Sequence, residues 1–177
     1  MRPQPLYEVL SGQRLTSVHV HDPWGEEPSW ECMRAQWPLF GALALAFERH
    51  TLLLGSPLRS MRSQEGTRYG LADGSSVSLG FRALLCESEH AEALVQLRFG
   101  LPQTDVWWNW LPSSVPVIGQ RLQVAPWLNL SPSSKAVAIM LDFEEGKRYR
   151  LEYRLDLDGA IAFSPEGPRC EPDGVGC

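Results

Sequence analysis

The histidines near the N-terminus are the residues best spaced to bind a metal ion. His19 and His21 alternate along a predicted strand, so both imidazoles face the same side, and Asp22 follows directly. His50 or His90 would have to supply a third ligand, because a catalytic zinc site uses three protein ligands and keeps a fourth position open. Simple solvation of an exposed strand also explains the pair. His19 and His21 are therefore weak metal candidates, and we predict no cofactor.

Two pairs of carboxylates have the spacing to share a strand face, Asp142 with Glu144 and Asp156 with Asp158. A glycosidase would hold such a pair across a cleft, with one carboxyl group in an apolar setting that raises its pKa. Here arginines alternate along the neighbouring segment, at 148, 150 and 154. Cross-strand ion pairs explain the carboxylates without catalysis.

Motifs for nucleophilic or phosphate chemistry are absent from the sequence. It has no G-x-S-x-G, no G-x-x-x-x-G-K-[ST] and no G-x-G-x-x-G. We accordingly predict that the protein is not an enzyme.

Tryptophan is the most unusual component, with seven residues in a chain of 177. Trp107, Trp108 and Trp110 form the densest cluster, and in an extended chain Trp108 and Trp110 share one face. An exposed pair would stack on a sugar or anchor a protein interface, where tryptophan is enriched. Alternatively, the rings cover the open end of a β-sandwich as a lid, joined by Trp127 and by the tryptophans at 24, 30 and 37. Both interpretations stay open.

Acidic residues supply a second candidate surface. Glu26, Glu27 and Glu31 lie among the N-terminal tryptophans, and Glu144 and Glu145 form a turn. They would face a basic partner, or they form an ordinary solvated face. The formal net charge of −5 disfavours nucleic acid and anionic membrane surfaces as partners.

The elements that must position these residues are mostly strands. The clearest is a C-terminal meander of residues 136–143, 148–157 and 160–163, closed by the hairpin signal Asp158-Gly159. Its middle strand alternates strictly. The predicted core residues are Tyr149, Leu151, Tyr153, Leu155 and Leu157, and the predicted solvent-facing residues are Arg148, Arg150, Glu152, Arg154 and Asp156.

The remaining segments predict further strands and one short helix. Residues 6–10 and 14–21 read as an opening hairpin, and residues 42–47 and 51–55 read as a central hairpin with small residues on its second face. Residues 93–100 predict another strand, and 115–118 and 121–124 predict short edge strands. Ser29 would cap a helix near 29–37. The predicted fold is an antiparallel β-sandwich or strongly curved sheet over residues 1–164, followed by a flexible Pro/Gly/acidic tail at 165–177.

Composition also predicts the compartment. No run of 18 apolar residues occurs, and the N-terminus lacks the apolar stretch of a signal peptide. The four cysteines have neither zinc-ligand nor redox spacing. We therefore expect a soluble, cytoplasmic protein.

Small, acidic, tryptophan-rich β proteins without catalytic motifs resemble, in composition alone, the immunity proteins with which bacteria neutralise their own secreted toxins. The resemblance implies a partner protein, a basic toxin or effector that is bound through an acidic and tryptophan-rich surface. Three other functions remain open: a carbohydrate or small-ligand binding module with a tryptophan platform, an enzyme whose catalytic residues are scattered along the chain, and an accessory subunit of a larger assembly. The oligomeric state is not predicted.

Overall fold

A computed structural model describes residues 4–21, 39–40, 42–55, 67–90, 108–109, 115–130, 137–154 and 160–166. Within these ranges the chain forms short strands and single turns of 3-10 helix, and no α-helix is present among them. In chain order the strands are β1 (Gln4–Pro5), β2 (Leu15–His21), β3 (Leu39–Phe40), β4 (Ala42–Phe47), β5 (His50–Gly55), β6 (Arg68–Gly70), β7 (Ser76–Ser78), β8 (Arg82–Glu87), β9 (Trp108–Asn109), β10 (Trp127–Asn129), β11 (Ala138–Asp142), β12 (Arg148–Arg154) and β13 (Ala160–Pro165). The 3-10 turns are Glu8–Leu10, Ser88–His90 and Glu144–Gly146.

The strands build two large antiparallel sheets and one separate hairpin. The first sheet has six strands in the order β1-β10-β11-β12-β13-β3, and the second has five in the order β8-β5-β4-β2-β9. β6 and β7 pair only with each other among the described strands. Apolar residues of both large sheets belong to one buried cluster, in which Leu45 and Phe47 accompany Ile139 and Leu151. The prediction of a mostly β, sandwich-like fold is confirmed.

The C-terminal meander forms as predicted where the structure describes it, and the predicted residues Leu155, Asp156, Leu157 and the Asp158-Gly159 turn lie outside the described residues. Leu151 of β12 pairs with Ile139 of β11 on one side and with Phe163 of β13 on the other. All three side chains are buried, and the Tyr149 ring lies 4.8 Å from that of Phe163. β13 continues to Pro165, and the residues from 167 onward lie outside the described ranges, so the predicted tail stays a prediction.

The predicted solvent-facing side of β12 is wrong at two positions. Arg150 and Glu152 form an ion pair of 2.7 Å, and their side chains keep only 15% and 11% of their surface exposed. Ala138 and Ala162, which flank Glu152 in the sheet, are fully buried as well. Alternation along a strand shows which residues share a face, but what packs on that face decides whether it is open.

The central hairpin is confirmed. β4 and β5 occupy interior positions of the five-stranded sheet, and Leu43 pairs with Leu54 on the core side. The second face is buried too, since Leu53 is fully buried and Ala44 is 6% exposed. Small side chains on this face therefore do accompany close packing, as the sequence predicts.

The predicted opening hairpin does not form. Tyr7 has left-handed backbone angles (φ 48°, ψ 54°), which turn the chain into the 3-10 helix Glu8–Leu10. The backbone of this segment pairs instead with a distant loop, because Leu6 donates to the carbonyl oxygen of Pro126 and Gly12 to that of Leu122. β2 pairs with β4 and β9.

Other predicted elements are corrected or lie outside the description. Residues 116–119 form a turn, and Arg121 and Leu122 make only isolated bridges, so the two predicted edge strands at 115–124 are wrong. The helix predicted near 29–37 and the strand predicted at 93–100 fall outside the described residues. Within the described ranges, no helix has the length and apolar character needed to cross a membrane.

Candidate binding surface

The tryptophan-rich stretch contributes the outermost strand of the five-stranded sheet. β9 lies antiparallel to β2, with Trp108 opposite Val20 and Asn109 opposite His19. Trp107 and Trp110, together with Glu26, Glu27 and Glu31, lie outside the described residues. The lid and the binding surface therefore both stay predictions. The sheet pairing shows only where the Trp108 backbone lies along the edge.

A second tryptophan takes part in a compact polar cluster at the end of the six-stranded sheet. The half-buried Trp127 of β10 donates its indole N–H to Oδ2 of Asp142 over 2.9 Å. Asp142 lies directly opposite Arg148 in the β11–β12 register and accepts hydrogen bonds from its Nε and Nη2. The guanidinium also lies over the indole, 5.3 Å from the ring centroid. This Trp127–Asp142–Arg148 cluster confirms the cross-strand ion pair that the sequence predicts for Asp142.

The hydrogen bonds within the cluster also affect the charge of Arg148. The hydrogen bonds to Asp142 raise the pKa of Arg148 above its ordinary value, so the guanidinium stays charged. Its side chain keeps 46% of its surface exposed, whereas that of Asp142 keeps 19%. The arrangement therefore presents a fixed cation to solvent above a more deeply placed carboxylate.

The acidic turn lies at the same end of the molecule, between β11 and β12. Glu144 accepts a hydrogen bond from the backbone N–H of Arg121. Glu145 accepts from Lys147 and Gln120, and the Lys147 hydrogen bond is the main cause of its lowered pKa. The Glu145 side chain is 70% exposed. Both predicted partner-binding glutamates thus lie at the surface, but local donors already compensate part of their charge.

Further charges of both signs adjoin this turn. The Arg121 guanidinium donates to both carboxylate oxygens of Glu48, over 3.1 and 3.3 Å. The backbone N–H of Arg14 is the main cause of the lowered pKa of Glu48, and the two guanidiniums add to it. The surface around the turn therefore alternates in sign rather than forming a single acidic patch.

The metal interpretation of the histidines gains no third ligand from His50. His19 pairs across the sheet with Ala44, and Ala44 with Leu53, whereas His50 precedes Leu53 by three residues and so belongs to the opposite face. His19 Nε2 lies 2.9 Å from the Ser17 hydroxyl. Among the described residues no group of three or more His, Cys, Asp or Glu could hold a metal ion. A metal site that combines His19 and His21 with His90 stays a prediction.

Sequence reasoning missed the roles of Trp127 and Arg148. The turn at 144–147 and the flanking alternation indicate that residues 142 and 148 oppose each other, so the ion pair has a local signal. Trp127 belongs to a separate proline-rich segment, and its approach to Asp142 depends on the pairing of β10 with β11. Pattern reasoning placed it instead with the tryptophans of the lid.

Comparison with known proteins identifies no relative, because no protein-family model, curated protein sequence or solved structure matches this chain.

Proposed function

We propose that this chain is a non-enzymatic protein-binding protein of the cytoplasm, of the type that neutralises a basic toxin or effector by covering part of its surface. The observation that supports this best is the attachment of the tryptophan-rich stretch to the sandwich. β9 is held by main-chain pairing with β2 at the edge of the five-stranded sheet. A binding residue placed on a sheet is more precisely positioned than one on a free loop.

Charge distribution supports a basic partner. The described residues include nine Lys or Arg and ten Asp or Glu, a difference of −1, whereas the whole chain carries −5. Most of the negative surplus therefore belongs to other segments, which include Glu26, Glu27 and Glu31. A net charge of this sign accelerates encounter with a cationic protein and repels nucleic acid.

A cysteine fits the proposed compartment. Cys86 is a buried free thiol that donates to the Thr51 carbonyl oxygen, and burial raises its pKa. A protonated, enclosed thiol is an ordinary core residue under the reducing conditions of the cytoplasm.

The experiment uses the protein encoded beside this chain's gene. We expect that protein to be toxic alone, to lose its toxicity when this chain is co-expressed, and to form a stoichiometric complex on gel filtration. Association should slow as salt rises, because electrostatic steering is screened. A neighbouring gene with a harmless product, or a toxic product that this chain does not bind, contradicts the proposal.

Variants of the tryptophan stretch test which surface is used. Trp108→Ala and Trp110→Ala should each raise the Kd of the complex at least about tenfold, as loss of an interface hot spot does. Their melting temperatures should change little, and Trp108→Phe, which keeps an aromatic ring, is the matched control. Calorimetric titration measures the Kd, and thermal denaturation measures the melting temperature. Unchanged affinity with a large fall in melting temperature would instead support the lid interpretation.

A further inference from the structure

We propose that Tyr7 and Tyr69 form an oxidative cross-linking site, at which hydrogen peroxide and a haem peroxidase join the two phenol rings through a carbon–carbon bond. The bond would tie the N-terminal segment to the hairpin β6–β7. The inference goes beyond the proposed function and does not depend on it, because it concerns only two side chains of this chain and an oxidant.

The two tyrosine rings are already in contact. Their hydroxyl oxygens lie 2.6 Å apart, their centroids lie 6.4 Å apart, and their planes are inclined by 77°. The chain has four tyrosines, all of them within the described residues. Tyr149 packs among phenylalanine rings, and Tyr153 lies next to Gly80. Tyr7 and Tyr69 are therefore the one pair of tyrosines in the described chain whose rings meet.

The reaction consists of two one-electron oxidations followed by coupling. Each phenol loses an electron and its hydroxyl proton, which leaves a phenoxyl radical with its unpaired electron shared among the oxygen and the ortho and para carbons. The para carbon of tyrosine carries Cβ, so coupling takes place at an ortho carbon. The new bond joins two ortho carbons, and the hydrogens that these carbons lose return to the oxygens. Peroxide accepts the two electrons and the two protons and becomes two molecules of water.

The arrangement of the two rings resembles that of the product. In a coupled pair both hydroxyls adjoin the new bond, so their oxygens are close neighbours, as they are in this structure. Coupled rings are also twisted about the bond, because coplanar rings would press the two hydroxyls together, and the inclination of 77° agrees with such a twist. Since the reacting groups are held together before the reaction, coupling is effectively unimolecular and gains several orders of magnitude in rate.

The hairpin supplies the movement that brings the ring centroids closer than 6.4 Å. Its strands pair only with each other among the described strands, and nothing lies within 4 Å of a Cβ added at Gly70, beside Tyr69. Tyr7 is more firmly held. Its carbonyl oxygen accepts the backbone N–H of the buried Leu10, and the buried Leu6 precedes it. One ring therefore stays in place while the other approaches it.

Partial burial favours coupling within one molecule. Both rings are half-buried, so an edge of each stays within reach of electron transfer, while the surrounding protein hinders contact with a tyrosine of a second molecule. Tyr149, by comparison, is only 5% exposed. The oxidant thus has better access to Tyr7 and Tyr69 than to the buried tyrosine.

The cross-link would staple two parts of the fold that are distant in sequence. Residues 7 and 69 are 62 positions apart, and closing a loop of this length lowers the entropy of the unfolded chain. A carbon–carbon bond takes no part in thiol–disulfide exchange, so it persists under reducing conditions in which a disulfide is lost. We expect the melting temperature of the cross-linked monomer to rise by about 10 °C.

The test treats the full chain in dilute solution with a catalytic amount of a haem peroxidase and one equivalent of hydrogen peroxide. We expect a monomeric product that shows dityrosine fluorescence and is lighter by two hydrogen atoms. A thiol reductant should leave this mass unchanged, which excludes a disulfide. Trypsin separates the tyrosines, because an arginine lies between each tyrosine and the next. Mass spectrometry of the digest should therefore find the peptides of Tyr7 and Tyr69 joined to each other.

Single hydroxyl deletions are the matched variants. Tyr7→Phe and Tyr69→Phe should each abolish the cross-link, because phenylalanine keeps the ring but forms no phenoxyl radical. Tyr153→Phe should leave the yield unchanged. Circular dichroism before treatment shows that each variant is folded. The melting temperature of the treated Tyr7→Phe chain measures the effect of oxidation elsewhere, so the rise that belongs to the cross-link is the difference from it.

Three results would overturn the proposal. The first is a product joined mainly through other tyrosines or between two molecules. The second is a yield that neither Tyr7→Phe nor Tyr69→Phe reduces. The third is the absence of dityrosine from the treated chain under conditions in which the same peroxidase couples free tyrosine.

Discussion

Gly80, between β7 and β8, shows how one missing side chain permits close packing. A Cβ built at this position would lie 2.7 Å from Cβ of Tyr153 and closer still to its ring. Tyr153 packs against the core from β12. The loop approaches the sheet at this distance only because residue 80 has no side chain.

Gly80→Ala should therefore destabilise the protein by about 1–3 kcal/mol, because the Tyr153 ring must move away from its packed position. Gly70→Ala is the matched control, since nothing lies within 4 Å of its added Cβ. That change should alter stability by less than about 0.5 kcal/mol. Urea denaturation of the two variants measures both values, and equal losses would show that the loop yields instead.

At the scale of the strand, Arg148 and Arg150 share one face of β12 but lie in different surroundings. Arg148 is half exposed and pairs with Asp142, whereas Arg150 is nearly enclosed with Glu152 and lies 3.9 Å from Glu166. An enclosed ion pair adds little to the stability of the fold, but removing one partner leaves the other charge unpaired and largely shielded from water. An exposed pair contributes at most about 1 kcal/mol, because water screens it.

Arg150→Met should accordingly cost about 3–5 kcal/mol of unfolding free energy, and Glu152→Gln less, because an amide can still accept a hydrogen bond from Arg150. Arg148→Met, two residues away on the same face, should cost about 1 kcal/mol or less. Chemical denaturation at neutral pH compares them. Similar small losses at 148 and 150 would mean that water reaches both arginines.

At the scale of the whole molecule, the hairpin β6–β7 is joined to the N-terminal segment through a pair of tyrosines. The Tyr7 and Tyr69 hydroxyls lie 2.6 Å apart, with the rings edge to face, and Gln4 donates to the Gly70 carbonyl oxygen. A two-stranded hairpin is marginally stable alone, so these contacts help to hold it against the sandwich. The pKa values of Tyr7 and Tyr69 are both raised, mainly by burial. Burial also raises the pKa of Tyr149.

Stability should therefore fall as the pH rises above about 10, the ordinary pKa of tyrosine. The unfolded chain loses the phenol protons there while the folded chain retains them, so the unfolded state binds fewer protons and gains stability relative to the native state. Below this pH the contribution of the tyrosines is fully present. Denaturation midpoints measured between pH 8 and pH 11 give the slope for the parent chain.

The double variant Tyr7→Phe/Tyr69→Phe removes two of these groups, so its stability should decline less steeply across the same pH range. Tyr7→Phe alone should cost about 1 kcal/mol at neutral pH, because it takes a hydrogen-bond partner from the Tyr69 hydroxyl. An unchanged alkaline slope in the double variant would contradict the assignment to this pair.

The meander illustrates what local pattern could determine. Strict alternation over residues 148–157 and the short turn before it predict the strand and its hairpin with the preceding strand, because strand period and turn length act within a few residues. The same pattern could not show that Arg150 and Glu152 are enclosed. The predicted opening hairpin failed for a related reason, since Tyr7 adopts a left-handed conformation that apolar alternation does not indicate.

The sequence by itself determined the β class, the central hairpin, the C-terminal meander and the surface position of Glu144 and Glu145, because these follow from alternation and turn residues close together in the chain. Only the tertiary structure decided which face is enclosed and which distant groups meet. Trp127 reaches Asp142 through sheet pairing, Tyr7 reaches Tyr69 across 62 residues and Arg121 reaches Glu48 across 73. Such contacts arise from how two sheets and their loops pack together, and packing depends on the whole chain at once.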